Sequence, residues 1–166
     1  MKDNDFIDAI NKLPIVNIKN RPDKDIYYLN IARDVSQRST CLRRHYGAVI
    51  VNNDEIISTG YNGAPRGEEN CCDKGSCIRE AEGHAHNDGN YQSCPAVHAE
   101  ANAIISAARR DMIGATLYLY GEDSNGCVID AEPCPNCKGL IANSGIKNYI
   151  CSSKKYGLGA EYINKE

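Results

Sequence analysis

Two short stretches constrain this chain more than anything else in it: HAE at residues 98–100 and PCPNC at 133–137, each opening a helical segment behind a strand-like one. Cys134 and Cys137 have two residues between them, so a single helical turn can aim both sulfurs at one metal. Thiolates at a helix start also gain from the positive end of its dipole. The pair supplies two ligands. A closed structural zinc site needs two more, whereas an open catalytic site needs one more and leaves the fourth position to water. His98 is the obvious third ligand. Glu100, at the same helix start, can sit beside a bound water without being a ligand itself. Taken alone, PCPNC reads equally as a redox pair or half a zinc knuckle, and HAE as three ordinary helical residues. Together they describe a hydrolytic metal site with its own proton carrier.

The rest of the chain reads as the scaffold for that convergence. At 166 residues and 42% hydrophobic it fits one domain over 1–166 with a single core. Residues 1–22 form a polar lead with a short helix before Pro14. Apolar spacing predicts a helix from Asp23 to about Arg38, capped by Asp23 or Asp25. GAVIV (47–51), the turn Asn52, Asn53, Asp54 and EIISTGYN (55–62) predict a β-hairpin. Residues 63–94 lack apolar periodicity and carry four cysteines and two histidines, which predicts a long loop ordered by something other than a core. Then follow an alanine-rich helix from about Val97 through HAEANAIISAARR, a strand ATLYLYG, a helix from PCPNC ending at Asn143 to Gly145, a strand IKNYICSS, and a short strand at AEYI. This order gives an α/β layered domain with a mixed sheet. Tyr118 and Tyr120 alternate along a strand and read as packing residues.

Charge narrows the function classes. A net charge of -3 and a pI near 5.8 argue against holding nucleic acid by bulk electrostatics, and only CLRRH and AARRD are locally basic. The amino terminus lacks the basic flank and apolar core of a secretory signal, and no apolar run reaches membrane-span length, so a soluble cytoplasmic protein without membrane contact is expected. Nine cysteines, an odd number, cannot all pair in disulfides. In a reducing compartment they read as metal ligands plus free thiols.

Three motifs, STGYNGAPRG at 58–67, VHAEANAI at 97–104 and EPCPNC at 132–137, make the chain resemble the cytidine deaminase superfamily and, within it, the deoxycytidylate (dCMP) deaminases. The resemblance covers roughly residues 26–152. It departs from the shortest family pattern at EDSNGCVIDA, a longer insertion before the CxxC. It implies a three-layer α/β/α fold with a mixed central sheet of about five strands. It also implies zinc-dependent hydrolytic deamination of dCMP to dUMP with release of ammonia, supplying thymidylate synthesis. Zinc is then held by His98, Cys134 and Cys137, with Glu100 carrying protons. Substrate contacts are expected from Asn62, Asn102, Ala99, the Glu132 carbonyl and Arg66. For the 5′-phosphate Arg43, Arg44 and Arg109 are further candidates, and each arginine alone equally reads as solvated surface. Asn62 reads otherwise as a turn residue and Asn102 as helix surface. Alternatives for the activity are another cytosine nucleotide, dCTP or a 5-modified dCMP, a nucleic-acid cytosine or adenine deaminase, and a silent zinc-stabilised domain that an intact HxE opposes.

The same resemblance implies a second, structural zinc in the long loop, assigned to Cys41, Cys71, Cys77 and Cys94. Cys72 is an alternative to Cys71, and His84 or His86 to a sulfur; free thiols are the competing reading. Further implied are a homo-oligomer, commonly a hexamer, and regulation by dCTP and dTTP with Mg2+, sought near GYNG, where glycine-flanked amides can approach phosphates. Cys127 and Cys151 receive no role.

Overall fold

The computed structural model describes residues 21–86 and 88–154, and the backbone alone of 157–164. The polar lead therefore falls, except for its last two residues, outside the described ones. Helix α1 (Lys24–Ser36) starts where Asp23 accepts a hydrogen bond from the Ile26 amide at 2.9 Å. Strands β1 (Arg44–Asn52) and β2 (Glu55–Tyr61) form an antiparallel hairpin. Its two turn residues, Asn53 and Asp54, have φ of +50° and +68°, the left-handed pair that a tight hairpin turn requires and that these two residue types tolerate.

Two single-turn helices, α2 (Cys71–Lys74) and α3 (Ile78–Ala81), interrupt the stretch expected to be all loop. Helix α4 (Ala99–Ile105) is shorter than the alanine-rich run predicts. The Ser106 hydroxyl donates to the Asn102 carbonyl at 2.7 Å, a local bond that competes with the helix, and the chain re-forms one turn as α5 (Arg109–Met112). Strand β3 (Thr116–Asp123), helix α6 (Pro135–Ser144), strand β4 (Asn148–Ser153) and strand β5 (Gly157–Asn164) complete the order.

The five strands form one mixed sheet in the order β2-β1-β3-β4-β5, with β3 and β4 parallel and the other pairs antiparallel. Strand β1 begins at Arg44, before the hairpin pattern. The reason is that its pairing with β3 runs on to Arg44↔Asp123, while its pairing with β2 stops at Gly47↔Tyr61.

Side-chain alternation divides the core into two layers. Ala48, Ile50, Leu117, Leu119, Tyr149 and Cys151 meet Ala99, Ala103, Met112 and Ile141 from α4, α5 and α6. On the other face Val49, Val51, Tyr118, Tyr120 and Ile150 meet Tyr28, Leu29 and Ala32 of α1. The result is the expected α/β/α sandwich.

Each helical layer lies against a bare glycine. A β-carbon on Gly47 would stand 2.0 Å from the Ala32 carbonyl oxygen of α1. One on Gly60 would stand 2.3 Å from both the Ala99 carbonyl oxygen and the Ala103 amide nitrogen of α4. All these atoms are backbone, so neither helix can yield by rotating a side chain. Gly47→Ala and Gly60→Ala should each lower stability by about 1–3 kcal/mol in urea denaturation. Unchanged midpoints would contradict these close approaches.

Candidate active site

His98 is the N-cap of α4 and Cys134 the N-cap of α6, both with extended backbone (φ -71°, ψ 154° and φ -66°, ψ 165°). Two helices on the same face of the sheet thus begin at one place. Pro135 at the first position of α6 suits that start, because its fixed φ is helical and the amide it lacks has no intrahelical partner there. The Cys134 sulfur accepts from the Cys137 amide at 3.5 Å, which folds the CxxC back on itself. Val97 is tied to Gly63 by a pair of backbone bonds of 2.8 and 3.2 Å, joining the entry of α4 to the chain just past β2.

His98 Nδ1 lies 3.5 Å from Cys134 Sγ and 3.5 Å from Cys137 Sγ. A tetrahedral zinc with ordinary bond lengths separates a nitrogen and a sulfur ligand by about 3.6 Å, so both nitrogen–sulfur distances already match two edges of such a polyhedron. Among the described residues, these three alone bring at least three ligand atoms mutually within 4.8 Å. Their electrostatics also fit a cation. Burial, followed by the nearby Glu100 carboxyl and Cys134, pushes the Cys137 thiol far up. A divalent ion reverses that balance by favouring the thiolate.

Glu100, in the first turn of α4, is 4% exposed. Burial raises its pKa, opposed by its own backbone amide, by His98 and by the Cys137 side chain. A carboxyl that resists ionisation, held against the ligand sulfur, is suited to carry a proton.

The other expected site residues are placed less uniformly. Asn62 is buried at the end of β2. Its side-chain oxygen accepts from Ser39 Oγ at 2.7 Å and the Tyr46 amide at 2.8 Å, and its amide donates to the Arg44 carbonyl at 2.9 Å, so one N–H remains. Ala99 is fully buried at the first position of α4. Asn102 turns away from Glu100, because two residues along a helix is about 200° around it. It donates to the Tyr61 carbonyl at 2.7 Å and lines an open cleft of about 510 Å³ with Pro65, Arg66, Val97, Ile105 and Ser106. The exposed Glu132 side chain pairs with Lys138. Arg109 is spent on the Asn143 carbonyl at 3.0 Å, and Arg43 on the His84 carbonyl at 2.9 Å and on Glu80.

Two tyrosines enter the site without having been singled out from sequence. Arg44 donates to the Tyr46 hydroxyl at 3.4 Å. Burial above all raises the Tyr46 pKa, opposed by Arg44 and reinforced by Glu100 and Tyr91, which places this ring beside the catalytic centre. Neither tyrosine lies in a recognisable motif. Cys41, Cys77 and Cys94 surround Cys71 closely enough for their fields to add to burial in raising its thiol pKa. Their sulfurs nevertheless do not close to the spacing that His98, Cys134 and Cys137 show.

Comparison with known proteins agrees with this geometry. Residues 22–153 match the cytidine and deoxycytidylate deaminase zinc-binding region. The chain is 43% identical over 134 residues to the deoxycytidylate deaminase of Mycobacterium phage D29, covering 78% of this chain and 94% of that one. It is 36% identical over 132 residues to the deoxycytidylate deaminase of Saccharomyces cerevisiae, covering 80% of this chain but only 38% of the yeast protein. Its fold is similar to the crystal structure of the dCMP deaminase from the cyanophage S-TIM5 in complex with dCMP and dUMP, with a TM-score of 0.58 and 27% identity over 80% of this chain and 83% of that one. Among the described residues no helix is long and apolar enough to cross a membrane.

His98→Ala and Cys134→Ser should each remove one zinc per chain in metal analysis of purified protein. Full zinc content in both would place the ion elsewhere.

Proposed function

The chain belongs to the cytidine and deoxycytidylate deaminase zinc-binding family, and from that premise we propose that it hydrolyses dCMP to dUMP and ammonia. The observation that carries the reading is the buried Glu100 carboxyl set against a three-donor cluster, the arrangement of an open rather than a closed zinc site. The names of the phage and yeast relatives, both deoxycytidylate deaminases, support dCMP as the substrate. His98, Cys134 and Cys137 would hold the zinc, which when bound would supply a water acidified to near neutrality.

Glu100 does the proton work. It takes one proton from the water whose oxygen adds to C4 of the cytosine ring and delivers it to N3. It then takes the remaining hydroxyl proton and passes it to the 4-amino group, so that the C4–N bond breaks, ammonia leaves and C4 becomes a carbonyl. Asn62 offers its remaining N–H to the nucleoside, and the Glu132 carbonyl accepts from the cytosine amino group. Ala99 contributes the close wall of the first turn of α4.

For the 5′-phosphate, Arg44 and Arg66 are favoured by position, Arg44 beside Tyr46 and Arg66 in the cleft that Asn102 lines. Arg44 leads, since the tyrosine it bonds lies in the field of Glu100. Arg66 and Asn102 share a separate cleft beyond α4, which suits a contact at the edge of the nucleotide or an effector such as dCTP or dTTP with Mg2+. A second, structural zinc on Cys41, Cys71, Cys77 and Cys94 is supported by their mutual proximity and requires those sulfurs to draw closer together.

The described residues act as one catalytic domain. Exposed Ile105 (71%) and Ile113 (55%) support a homo-oligomer that covers them, a hexamer on family grounds. The lack of any disulfide among the nine cysteines supports a reducing, cytoplasmic setting.

Glu100→Ala should keep its zinc and lose about 10²–10⁴-fold in turnover of dCMP; full activity in this variant overturns the mechanism. Ammonia release measured with dCMP, dCTP and cytidine should favour dCMP, and Arg44→Gln should raise KM for dCMP while leaving KM for cytidine unchanged. Preference for dCTP or cytidine would reassign the substrate.

A further inference from the structure

Zinc-binding histidines ordinarily have their second ring nitrogen held by a carboxylate, a carbonyl or a water, which fixes the plane of the imidazole. His98 differs. Its Nδ1 faces the two sulfurs, its side chain makes no capping bond to α4, and among the described residues no protein group bonds its Nε2.

What it has instead is an aromatic neighbour from the long loop. The Tyr91 ring lies 5.8 Å from the His98 ring, centroid to centroid, at an interplanar angle of 80°. That is an edge-to-face pair, which restricts rotation of the imidazole about its own axis. Tyr91 is in turn held by its loop. The Arg79 guanidinium lies 4.3 Å over its ring, within cation–π range. Arg79 is itself buried, 6% exposed, and donates to the Asp88 carboxylate and to the Ala85 carbonyl at 3.1 Å. Asp88 also accepts from the Asn90 amide at 2.9 Å and stands 3.0 Å from His84 Nδ1. One carboxylate therefore fixes both the arginine over the ring and the backbone immediately before Tyr91.

We propose that Tyr91 is a positioning residue for His98: clamped by Arg79 and Asp88, its ring takes the place of a hydrogen-bonded outer partner and keeps Nδ1 directed between Cys134 and Cys137. The inference rests on the zinc reading of that cluster. It assigns the 77–94 loop a task at the metal distinct from holding a second ion.

The test needs no turnover. Zinc at this site is defined as the fraction missing from His98→Ala protein, and its release to a competing chelator is timed. Tyr91→Leu, which keeps apolar bulk and removes the ring, should release it about tenfold faster. Tyr91→Phe, which keeps the ring, should match the wild type. With Co2+ in place of zinc, Tyr91→Leu should broaden and shift the visible bands, and Tyr91→Phe should not. Circular dichroism and urea midpoints equal to wild type identify a folded Tyr91→Leu protein; should it fail to fold, Arg79→Met carries the same expectation of faster release. Wild-type release rates and Co2+ bands in Tyr91→Leu overturn the role of Tyr91 alone. Equal acceleration in Tyr91→Phe overturns it too, by assigning the effect to the hydroxyl. A wild-type protein that holds no zinc through His98 overturns the zinc reading together with this one.

Discussion

The site depends on the distance between α4 and the sheet. Gly60 gives β2 no side chain where α4 crosses it, and the Val97–Gly63 backbone pair then sews the helix entry to the strand's continuation. With α4 fixed at backbone contact, His98 and Glu100 have no freedom to drift from α6, whose start carries the two sulfurs. A catalytic constellation loses much of its effect when misplaced by about 1 Å, so a hydrogen atom in place of a methyl group at one strand position is part of the chemistry. The same device recurs on the opposite face, where Gly47 admits α1.

Much of this was legible in the sequence because it rests on local chemistry. The ligand spacing of PCPNC, the pairing of a histidine with a glutamate two residues on, the turn formers Asn53 and Asp54, and the alternating core positions of β1 and β3 all speak through short-range geometry. The features that escaped are those set by distant partners. Strand β1 extends to Arg44 only because β3 lies beside it. Asn102 is expected among the substrate contacts, and the helix turns it away from Glu100 toward the cleft it shares with Arg66. Asn62 is legible as an important asparagine, yet most of its hydrogen-bonding capacity goes to the chain around it. Tyr46 and Tyr91 stand in no motif and gain meaning only from what surrounds them.

The long loop shows how a segment without apolar periodicity acquires a fixed path. Residues 77–94 bury little hydrocarbon, and their order comes from a buried arginine whose donors are spread over a carboxylate, a carbonyl and an aromatic face. Arginine suits this better than lysine, because its planar fork can serve several partners at once and still stack. The cysteines in and around the loop lie near one another, and the polar hub adds its own contacts to the loop's order.

The irregularity between Ile50 and Val51 in the β1–β2 register reaches beyond the hairpin. Strand β2 is an outer strand of the sheet, with no further strand paired to its far side among the described residues. An unpaired edge of regular, flat backbone invites a second chain to add to it. The extra residue on β2 twists that edge, and the charged Glu55 at its start makes it a poor template. A small imperfection in strand pairing thereby acts as a safeguard of solubility, keeping the molecules from zipping together through their sheets at the concentrations a cell requires.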